Sequence, residues 1–437
     1  MVLRTIESPT EHRVVIVGGG FAGLFAAQSL RKAPVRITLI DARNFHLFQP
    51  LLYQVATGAL SPANIASPLR AILAKQKNAQ VLMGEVTDID VENQRVFMGP
   101  NPIEYDTLIV ATGASHAYFG HSEWGSLAPG LKTIEDATDI RRRILTAFEM
   151  AECSSDPDEI HELLTFVIVG AGPTGVELAG ALREIAYHTL QAEFRKINPS
   201  EATVMLLSKS QRILPMYSED LSASAENALK KLKVVVRTGV EVTDIRPGSV
   251  TFLCGKKRET VETRTVLWAA GVKASPLGKL LADRTGASLD SQGRVKVEAD
   301  NSLPNHPNIF VAGDLANYCH GTEQPLPGLA AVAMQQGQYI AKLIASRVNG
   351  HEPPGPFKYH DWGTMATIGR GAAIADFKGW HLTGLLAWLT WLFIHLMKIV
   401  QFENRLLIFM QWAWNYLTWD RTACLITNVK PQKPPEP

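Results

Sequence analysis

Two glycine-rich segments have the residue spacing from which nucleotide chemistry is expected. They are Gly18-x-Gly20-x-x-Gly23 and Gly170-x-Gly172-x-x-Gly175. In a turn of this kind the first glycine permits a tight bend, the second lets the backbone approach a pyrophosphate, and the third lets a helix pack on a strand. The helix that follows offers unpaired N–H groups and the positive end of its dipole to the phosphates. The spacing therefore predicts two dinucleotide sites.

The sequence around the first turn supports this prediction. Residues 13–17 are a β-branched run, residues 22–32 have the composition of a helix, and residues 36–40 form a second strand-like run. Asp41 closes that run, at the position where a carboxylate accepts hydrogen bonds from an adenosine ribose. A glycine turn without a ligand would not need all these parts in order. We expect further nucleotide contacts from Phe21, Ala22, Ala111, Thr112 and Gly113.

A later acidic residue identifies the first nucleotide as FAD. Gly313-Asp314 follows a buried strand-like run, so its carboxylate is placed to bind the ribityl chain of a flavin. The helix-like stretch 329–346 would direct its N-terminus at the flavin pyrimidine edge and stabilise negative charge there. The alternative is an acid that only caps a turn.

The second turn predicts a site for a nicotinamide nucleotide. Glu177, in the first turn of the following helix, has two open interpretations: it complements the helix dipole, or it contacts the nicotinamide ribose. The next strand ends at Ser208 and Lys209, with Arg212 close by, where an NAD-selective site carries an acid. Small polar and basic groups suit the 2′-phosphate of NADPH. In the alternative interpretation, Lys209 and Arg212 only face solvent.

Composition narrows the class of protein. A net charge of +1 over 437 residues gives no basic field for nucleic acid, so nucleic-acid binding is not expected. The four cysteines are too far apart for a redox dithiol or a metal site, and we predict no metal.

The predicted fold is α/β, with two Rossmann-like dinucleotide-binding domains and a C-terminal amphipathic-helix segment. Predicted boundaries are 1–125 with 290–350 for FAD, 126–289 for NAD(P)H and 351–437 for the C-terminal segment, which ends in a Pro-rich disordered tail from Lys430 to Pro437.

The C-terminal segment has the composition of a membrane-surface module. Six of the nine tryptophans lie between Trp380 and Trp419. Residues 385–400 are apolar but too short to span a bilayer, and His395, Lys398, Gln401 and Arg405 would form one polar stripe on a helix. A second helix is expected over 405–419. The pattern predicts a monotopic anchor in the lipid headgroups, and a homodimer interface or packing on the core are the alternatives.

With these pieces in place, the chain resembles the type II NADH dehydrogenases, which are NADH:quinone oxidoreductases that do not pump protons. The resemblance rests on the loop 44–58 (NFHLFQPLLYQVATG), the GVELAG helix with Glu177, the segment 330–337 (AAVAMQQG) and the ending from 387 to 421. It implies FAD as cofactor, NADH or NADPH as donor and a membrane quinone as acceptor. It also implies that Gln335 and Gln336 line the site near the quinone head.

The resemblance further implies a peripheral respiratory enzyme. Because residues 1–12 have no targeting pattern, we expect the cytoplasmic face of the inner or plasma membrane, or a thylakoid membrane. No series of transmembrane helices is predicted, so we expect no proton pumping.

Two departures from the family pattern affect these expectations. Ser208 stands where the family usually has Glu, which leaves open an NADPH-preferring naphthoquinone reductase of the same family. Trp362 stands where a Lys is frequent, so no role of that lysine transfers to this chain. Two other functions remain as alternatives: a soluble NAD(P)H reductase of a protein electron carrier, and a non-catalytic flavoprotein.

Overall fold

The computed structural model describes residues 11–421 and 423–427. Most of the N-terminal segment 1–12 and the predicted tail from Lys430 to Pro437 lie outside this range. The chain divides into two compact units. The first comprises Met1–Leu47, Ala66–Ser115 and Val272–Asp361, and the second comprises Phe48–Ile65, His116–Gly271 and Trp362–Pro437. The functional domain boundaries stay a prediction.

Strands form where aliphatic and β-branched residues cluster. In chain order they are β1 (His12–Val17), β2 (Val35–Asp41), β3 (Phe45–Leu47), β4 (Ala66–Pro68), β5 (Ala79–Met83), β6 (Asp88–Asp90), β7 (Arg95–Phe97), β8 (Pro102–Glu104), β9 (Thr107–Val110), β10 (Ala114–His116), β11 (Thr165–Val169), β12 (Thr203–Leu207), β13 (Val235–Arg237), β14 (Val240–Arg246), β15 (Ser249–Cys254), β16 (Lys257–Glu262), β17 (Thr265–Trp268), β18 (Val272–Ala274), β19 (Val295–Lys296), β20 (Ser302–Leu303), β21 (His306–Val311), β22 (Ala316–Asn317), β23 (Thr364–Gly369), β24 (Ala372–Phe377) and β25 (Trp380–Thr383).

Most of the helices begin at glycine turns, at prolines or after polar residues, as helix starts usually do. In chain order they are α1 (Phe21–Ser29), α2 (Leu52–Ala56), α3 (Pro62–Ile65), α4 (Leu69–Leu73), α5 (Trp124–Leu127), α6 (Ile134–Cys153), α7 (Pro157–Leu163), α8 (Pro173–Glu184), α9 (Glu219–Lys231), α10 (Leu277–Thr285), α11 (Ala330–Val348), α12 (Gly384–Lys398) and α13 (Phe402–Thr418). A π-helical turn, Ile185–Thr189, continues α8.

The first unit contains a six-stranded sheet in the order β20-β21-β9-β1-β2-β5. Strand β1 is central and pairs in parallel with β2 and β9. Its last four residues, 14–17, are buried because a central parallel strand is covered on both faces. The first glycine turn follows β1 at the carboxyl edge of this sheet, where ligands of open α/β sheets bind.

The second unit repeats this arrangement with a four-stranded parallel sheet, β13-β12-β11-β17. The second glycine turn follows β11 and leads into α8. An antiparallel sheet, β14-β15-β16, lies in the same unit. Its Val250 and Phe252 share a core with Val167 and Trp268 of the parallel sheet. The two strand–turn–helix–strand units predicted from the sequence are therefore both present.

The C-terminal part of the second unit combines a three-stranded antiparallel sheet, β23-β24-β25, with the last two helices. A Cβ added at Gly180 of α8 would lie 1.6 Å from the carbonyl oxygen of Ile368, so this glycine permits β23 to lie directly on α8. On the other side, Ala387 and Trp388 of α12 pack on Ala373 and Ala375 of β24. The sheet thus connects the second glycine-turn helix to α12.

The two predicted C-terminal helices are confirmed as α12 and α13, but the predicted polar stripe is wrong. Helix α12 ends at Lys398, and Ile399 and Gln401 have extended backbones before α13 begins. His395 and Arg405 therefore lie on different helices. Among the described residues, none of the helices combines the length and the apolar character needed to cross a bilayer.

Candidate functional site

The first glycine turn is built so that only glycine fits at two of its three positions. Gly18 has a φ of +106°, and a Cβ added there would lie 2.4 Å from the carbonyl oxygen of Ala111. A Cβ on Gly23 would lie 1.8 Å from the carbonyl oxygen of Gly18. Gly20 differs, because a Cβ there would find no described atom within 4 Å. Its open side is where a ligand can approach the backbone.

The carboxylate of Asp41 lies beside this turn. Its Oδ2 accepts a hydrogen bond from the Gly19 backbone N–H at 2.5 Å, and its Oδ1 accepts one from the Arg43 N–H at 2.7 Å. The predicted convergence of the acid and the glycine turn is present, since β2 ends next to β1. Its contact with a ribose stays a prediction.

The second FAD motif also lies at this edge of the first unit. Gly313 has a φ of +71°, and a Cβ on it would lie within 3.7 Å of Ala22 in α1 and 3.5 Å of Ala333 in α11. A Cβ on Gly337 would overlap the carbonyl oxygen of Ala22, so α11 packs against the start of α1. The Gly313-Asp314 turn and the beginnings of α1 and α11 therefore converge.

Gln335 and Gln336 have structural partners in the first unit. Gln336 is 1% exposed; its Oε1 accepts from the Gly313 N–H at 2.8 Å, and its Nε2 donates to Asn301 at 2.9 Å. The Gln335 amide pairs with both backbone groups of His360 at 2.9 Å. Gln336 thus positions the Gly313 turn, and the quinone contact predicted for both residues stays a prediction.

Two buried polar atoms near the first turn fit a ligand. Thr112 Oγ1 and His46 Nε2 are buried without a hydrogen-bond partner among the described residues. Burial lowers the pKa of His46, which keeps the ring neutral. Its Nδ1 lies 3.0 Å from the carbonyl oxygen of Gly19, which can only accept, so Nδ1 donates and Nε2 is an unpaired acceptor.

Unpaired buried atoms of this kind are costly unless a ligand completes them, so the turn, the acids and these two atoms together fit a bound FAD. His46 was not among the site residues predicted from the sequence. The only signal for it was its place in the family-like loop 44–58.

The second glycine turn uses the same device as the first. Gly170 also has a φ of +106°, and a Cβ on it would lie 2.6 Å from the Ala269 carbonyl group. A Cβ on Gly175 would lie 1.8 Å from the carbonyl oxygen of Gly170. At Gly172 the space within 4 Å is again free of described atoms. The turn therefore has the same open approach to its backbone.

The basic side chains that follow β12 have partners in the structure that the sequence did not show. Ser208 is buried, and Lys209 Nζ forms an ion pair with Glu241 Oε1 at 2.6 Å. Arg212 donates to the carbonyl oxygens of Pro215 and Tyr217 at 3.0 and 2.6 Å. Both basic side chains predicted to favour a 2′-phosphate thus have partners, and a carboxylate lies next to Lys209.

The surroundings of Glu177 do not favour a simple helix-dipole role for its side chain. Its carboxyl group accepts a hydrogen bond from the Thr367 backbone N–H on β23, and burial raises its pKa to about 8. The side chain lines a cavity of ≈ 50 Å³ within the second unit. At neutral pH this carboxyl group is therefore mostly protonated.

Aromatic and charged residues both line the cavity. The aromatic residues are Tyr53, Trp388, Trp412, Tyr416 and Trp419. A second acid, Glu184, accepts from Arg421 Nη2 at 3.2 Å and from the Arg370 backbone N–H. Burial raises the pKa of Glu184, and the charge of Arg421 opposes that shift. Trp419 stacks on His188 with ring centroids 3.7 Å apart. The Arg370 guanidinium lies 4.3 Å from the centroid of the Trp419 ring.

The last two helices expose many large apolar side chains, and α13 also buries two asparagines. Helix α13 buries Asn404, Ile408, Trp412 and Asn415. Trp412 Nε1 donates to Gln54 Oε1 at 2.7 Å, and Asn415 donates to the carbonyl oxygen of Ala59 at 3.0 Å. The exposed residues, which we call the outward face, are Leu385, Leu386, Leu389, Phe393, Met397, Phe402, Leu406, Leu407, Phe409, Met410, Trp414 and Leu417.

Comparison with known proteins identifies the family. Residues 12–337 match the model of the pyridine nucleotide-disulphide oxidoreductases, and residues 362–419 match that of the NDH2 C-terminal domain. A type II NADH:quinone oxidoreductase of Mycobacterium tuberculosis is 44% identical over 432 residues, which cover 97% of this chain and 92% of that protein. The chain belongs to the type II NADH:quinone oxidoreductase family. Its four cysteines are free, so it has no redox disulphide despite the name of the wider class.

A more distant relative has the same family name, and two solved structures share the fold. The type II NADH:quinone oxidoreductase of Staphylococcus haemolyticus is 28% identical over 377 residues, covering 85% of this chain and 91% of that protein. The fold is similar to NDH2 from Plasmodium falciparum in complex with NADH, with a TM-score of 0.83, 19% identity and coverage of 93% and 98%. It is less similar to the sulfide:quinone oxidoreductase of Aquifex aeolicus, with a TM-score of 0.68, 18% identity and coverage of 95% and 93%.

Family membership confirms several predictions from the sequence. The resemblance to type II NADH dehydrogenases and the α/β fold class are confirmed. The protein is an FAD enzyme that takes electrons from a nicotinamide nucleotide and has a quinone as acceptor. The choice between NADH and NADPH, the membrane face and the roles of individual residues go beyond what family membership decides.

Proposed function

We propose that this enzyme oxidises NADH at the second glycine turn and reduces a membrane quinone without translocating protons. The balanced reaction is NADH + H⁺ + quinone → NAD⁺ + quinol. The observation that carries this proposal is the aromatic cavity in the second unit, with the protonated carboxyl group of Glu177 in its wall.

The first unit would hold FAD through residues of known geometry. Gly18, Gly20 and Gly23 would bind the pyrophosphate, Asp41 the adenosine ribose and Asp314 the ribityl chain. When bound, FAD supplies the two-electron chemistry that connects hydride donors with quinones. The residues of this chain fix its position and exclude water.

Glu177 would hold a proton close to the quinone. Reduction of a quinone to a quinol consumes two protons with its two electrons, so proton donors must lie nearby. A cavity of ≈ 50 Å³ has room for a few waters, which can carry a proton between the Glu177 carboxyl group and a quinone. We therefore assign to this cavity the supply of protons to a quinone bound next to it. The Glu177 carboxyl group would be the proton donor.

NADH fits the second site better than NADPH. The ion pair between Lys209 and Glu241 leaves a carboxylate near the expected position of the ribose 2′-OH. A 2′-phosphate would meet that negative charge, and Arg212 already holds two loop carbonyl groups. The pair is exposed and therefore weak, so some NADPH use remains compatible with it.

The outward face of α12 and α13 favours a membrane surface over a protein carrier. Two neighbouring helices that expose a dozen large apolar side chains form a patch that soluble monomers rarely leave in water. Apolar side chains with interfacial Trp suit the boundary between headgroups and acyl chains. The cytoplasmic side of the membrane stays a prediction from the sequence.

Stopped-flow measurement of the flavin absorbance at about 450 nm tests the reaction. We expect rapid bleaching of the purified FAD-loaded enzyme by NADH, slower bleaching by NADPH, and recovery when quinone is added. Equal or faster bleaching by NADPH would contradict the donor assignment. A bound flavin that neither nucleotide bleaches would contradict the proposed function as a whole.

Charge substitutions on the outward face test membrane binding. Truncation at Trp380 would also remove the buried Trp391 and Trp412, so point changes are cleaner. The double variant Phe409→Glu/Leu417→Glu should lose most of its co-sedimentation with vesicles, while Met216→Glu, an exposed apolar residue outside the face, should bind like wild type. Unchanged vesicle binding of the double variant would rule out this face as the anchor.

A further inference from the structure

A strained turn exposes one phenylalanine at the edge of the second unit. Phe119 and Gly120 have φ values of +49° and +98°, and the His121 N–H donates to the carbonyl oxygen of Tyr118 at 3.0 Å. These values correspond to a type I′ turn, whose central positions favour Asn, Asp and Gly. A bulky residue at such a position is an outlier that the surrounding structure must hold in place.

Burial of the Phe119 ring does not compensate for this backbone strain. The ring is 70% exposed, although its neighbours are fixed. Trp268 Nε1 donates to the carbonyl oxygen of Ala117 at 2.9 Å, and Tyr118 Oη donates to that of Ala128 at 2.9 Å. Phe119 is therefore held in a fixed pose that costs backbone energy and leaves an apolar surface in water.

One edge of the ring rests on a glycine. A Cβ added at Gly271, which has a φ of +78°, would lie 2.3 Å from Phe119 Cζ. The missing side chain of Gly271 thus provides the space into which the ring edge fits. The Ala117 N–H also donates to the carbonyl oxygen of Gly271 at 3.3 Å, which ties the two segments together.

Strand order places Phe119 on one half of the nucleotide site. The pyrophosphate of a bound dinucleotide lies at the turn after β11, and its adenosine lies towards the end of the next strand, β12, at Ser208. The other half must then extend in the opposite direction, towards β17. Gly271 follows β17 by three residues, and the ring of Phe119 lies on it.

We propose that Phe119 is a preorganised apolar platform that contacts the nicotinamide ring of the dinucleotide and contributes to its affinity. The proposal rests on the proposed function, namely that the nucleotide binds at the Gly170 turn. Holding the ring in place before binding reduces the entropy lost when the ligand arrives. It also explains why a strained position keeps an exposed aromatic side chain.

Phe119→Asn is the decisive variant because Asn suits a type I′ turn. The substitution removes the ring and relieves the backbone, so folding should be unchanged or improved. Calorimetry on the FAD-loaded full chain should compare NAD⁺ with ADP-ribose, which lacks the nicotinamide ring. Neither ligand reduces the flavin. We expect the dissociation constant of NAD⁺ to rise about fivefold, as for the loss of one aromatic contact, while that of ADP-ribose stays constant.

Two control variants accompany this test. Phe119→Tyr keeps the ring and should bind NAD⁺ like wild type. Lys378→Asn relieves another positive φ, of 55°, in the turn between β24 and β25, and should change neither dissociation constant. In steady state, Phe119→Asn should raise the KM for NADH and leave kcat almost unchanged, since the contact is made equally in the ground and transition states.

The outcomes separate this inference from the proposed function. Unchanged or tighter NAD⁺ binding by Phe119→Asn would overturn the platform, as would equal weakening of both ligands. Failure of the wild-type enzyme to bind either ligand would overturn nucleotide binding at the Gly170 turn, and the platform with it.

Discussion

The two glycine turns of this protein have the same backbone geometry and different surroundings. Gly18 and Gly170 share a φ of +106°, and a Cβ on Gly23 or Gly175 would overlap the first glycine of its own turn at 1.8 Å. The strands that follow end differently, in Asp41 with two backbone hydrogen bonds and in Ser208 beside an ion pair. The comparison supports the proposal that each turn binds a pyrophosphate and that the neighbouring side chains select the nucleotide.

The helices after the turns also differ at one informative position. Two residues beyond the third glycine, α1 has Phe25 and α8 has Glu177. Glu177 is buried, accepts a hydrogen bond from β23 and lines the cavity, so the second helix has a titratable group that the first helix lacks at this position. Substitutions at matched positions can break this comparison or sharpen it.

The largest effects should come from the third glycines. Gly23→Ala and Gly175→Ala each place a methyl group on a carbonyl oxygen, which should cost about 3 kcal/mol of unfolding free energy. Gly23→Ala should be purified without flavin absorbance, whereas Gly175→Ala should keep its FAD and lose NADH binding. Thermal melts and flavin spectra measure both. Loss of flavin in both variants would show that the two sites are not independent.

Substitution of the second glycines should affect binding without affecting folding. Gly20 and Gly172 have ordinary φ values of −69° and −75°, and their Cβ directions are open. Ala at either position should therefore leave the melting temperature unchanged but obstruct the approach of a pyrophosphate. We expect affinity to fall about tenfold or more, for FAD in Gly20→Ala and for NAD⁺ in Gly172→Ala. A destabilised protein with normal affinity would contradict the assignment.

Glu177→Gln should alter how stability depends on pH. The folded pKa of about 8 lies above the reference value of 4.5, so the folded state binds the proton more tightly. The stability from this group is complete below pH 4.5 and is lost as the pH rises through about 8. Between pH 6 and pH 9 the wild type should lose about 3 kcal/mol more than Glu177→Gln, as measured by urea unfolding. Parallel losses in both proteins would indicate an ionised Glu177.

The smallest effect should follow from Glu241→Gln. The variant removes a carboxylate from the second site and frees the Lys209 ammonium, which lies 2.6 Å from it in the wild type. The ratio of kcat/KM for NADPH to that for NADH should rise about threefold, the scale of an exposed ion pair. Glu259→Gln, which breaks the exposed pair of Lys257 in the β15–β16 hairpin, serves as the control. An unchanged ratio would place Glu241 outside the nucleotide site.

The sequence predicted the parts of the molecule that local rules determine. Glycine spacing, β-branched runs and the acid at the end of β2 are short-range patterns, and the two βαβ units that they predict are both present. The ends of α12 and α13 were also predicted to within a few residues. The polar stripe failed because a helical projection cannot show that the chain is extended at Ile399 and Gln401.

Features that depend on long-range contacts were beyond the sequence. Glu177 was assigned to the helix dipole or to a ribose, because only the packing of β23 on Gly180 shows that its carboxyl group is buried. The positive charge predicted at Lys209 is offset, because Glu241, 32 residues later in the chain, forms an ion pair with it. Phe119 gave no sequence signal at all, since its significance depends on a backbone angle and on its contact with Gly271.

The apolar outward face of α12 and α13 has a consequence for how the enzyme behaves outside a bilayer. A single surface that lipid, detergent or a second copy can cover links their equilibria by mass action. In detergent-free buffer, self-association through the outward face would grow with protein concentration, and added vesicles would dissolve it by competition. An oligomeric state measured without lipid would then depend on the solution conditions as well as on the protein.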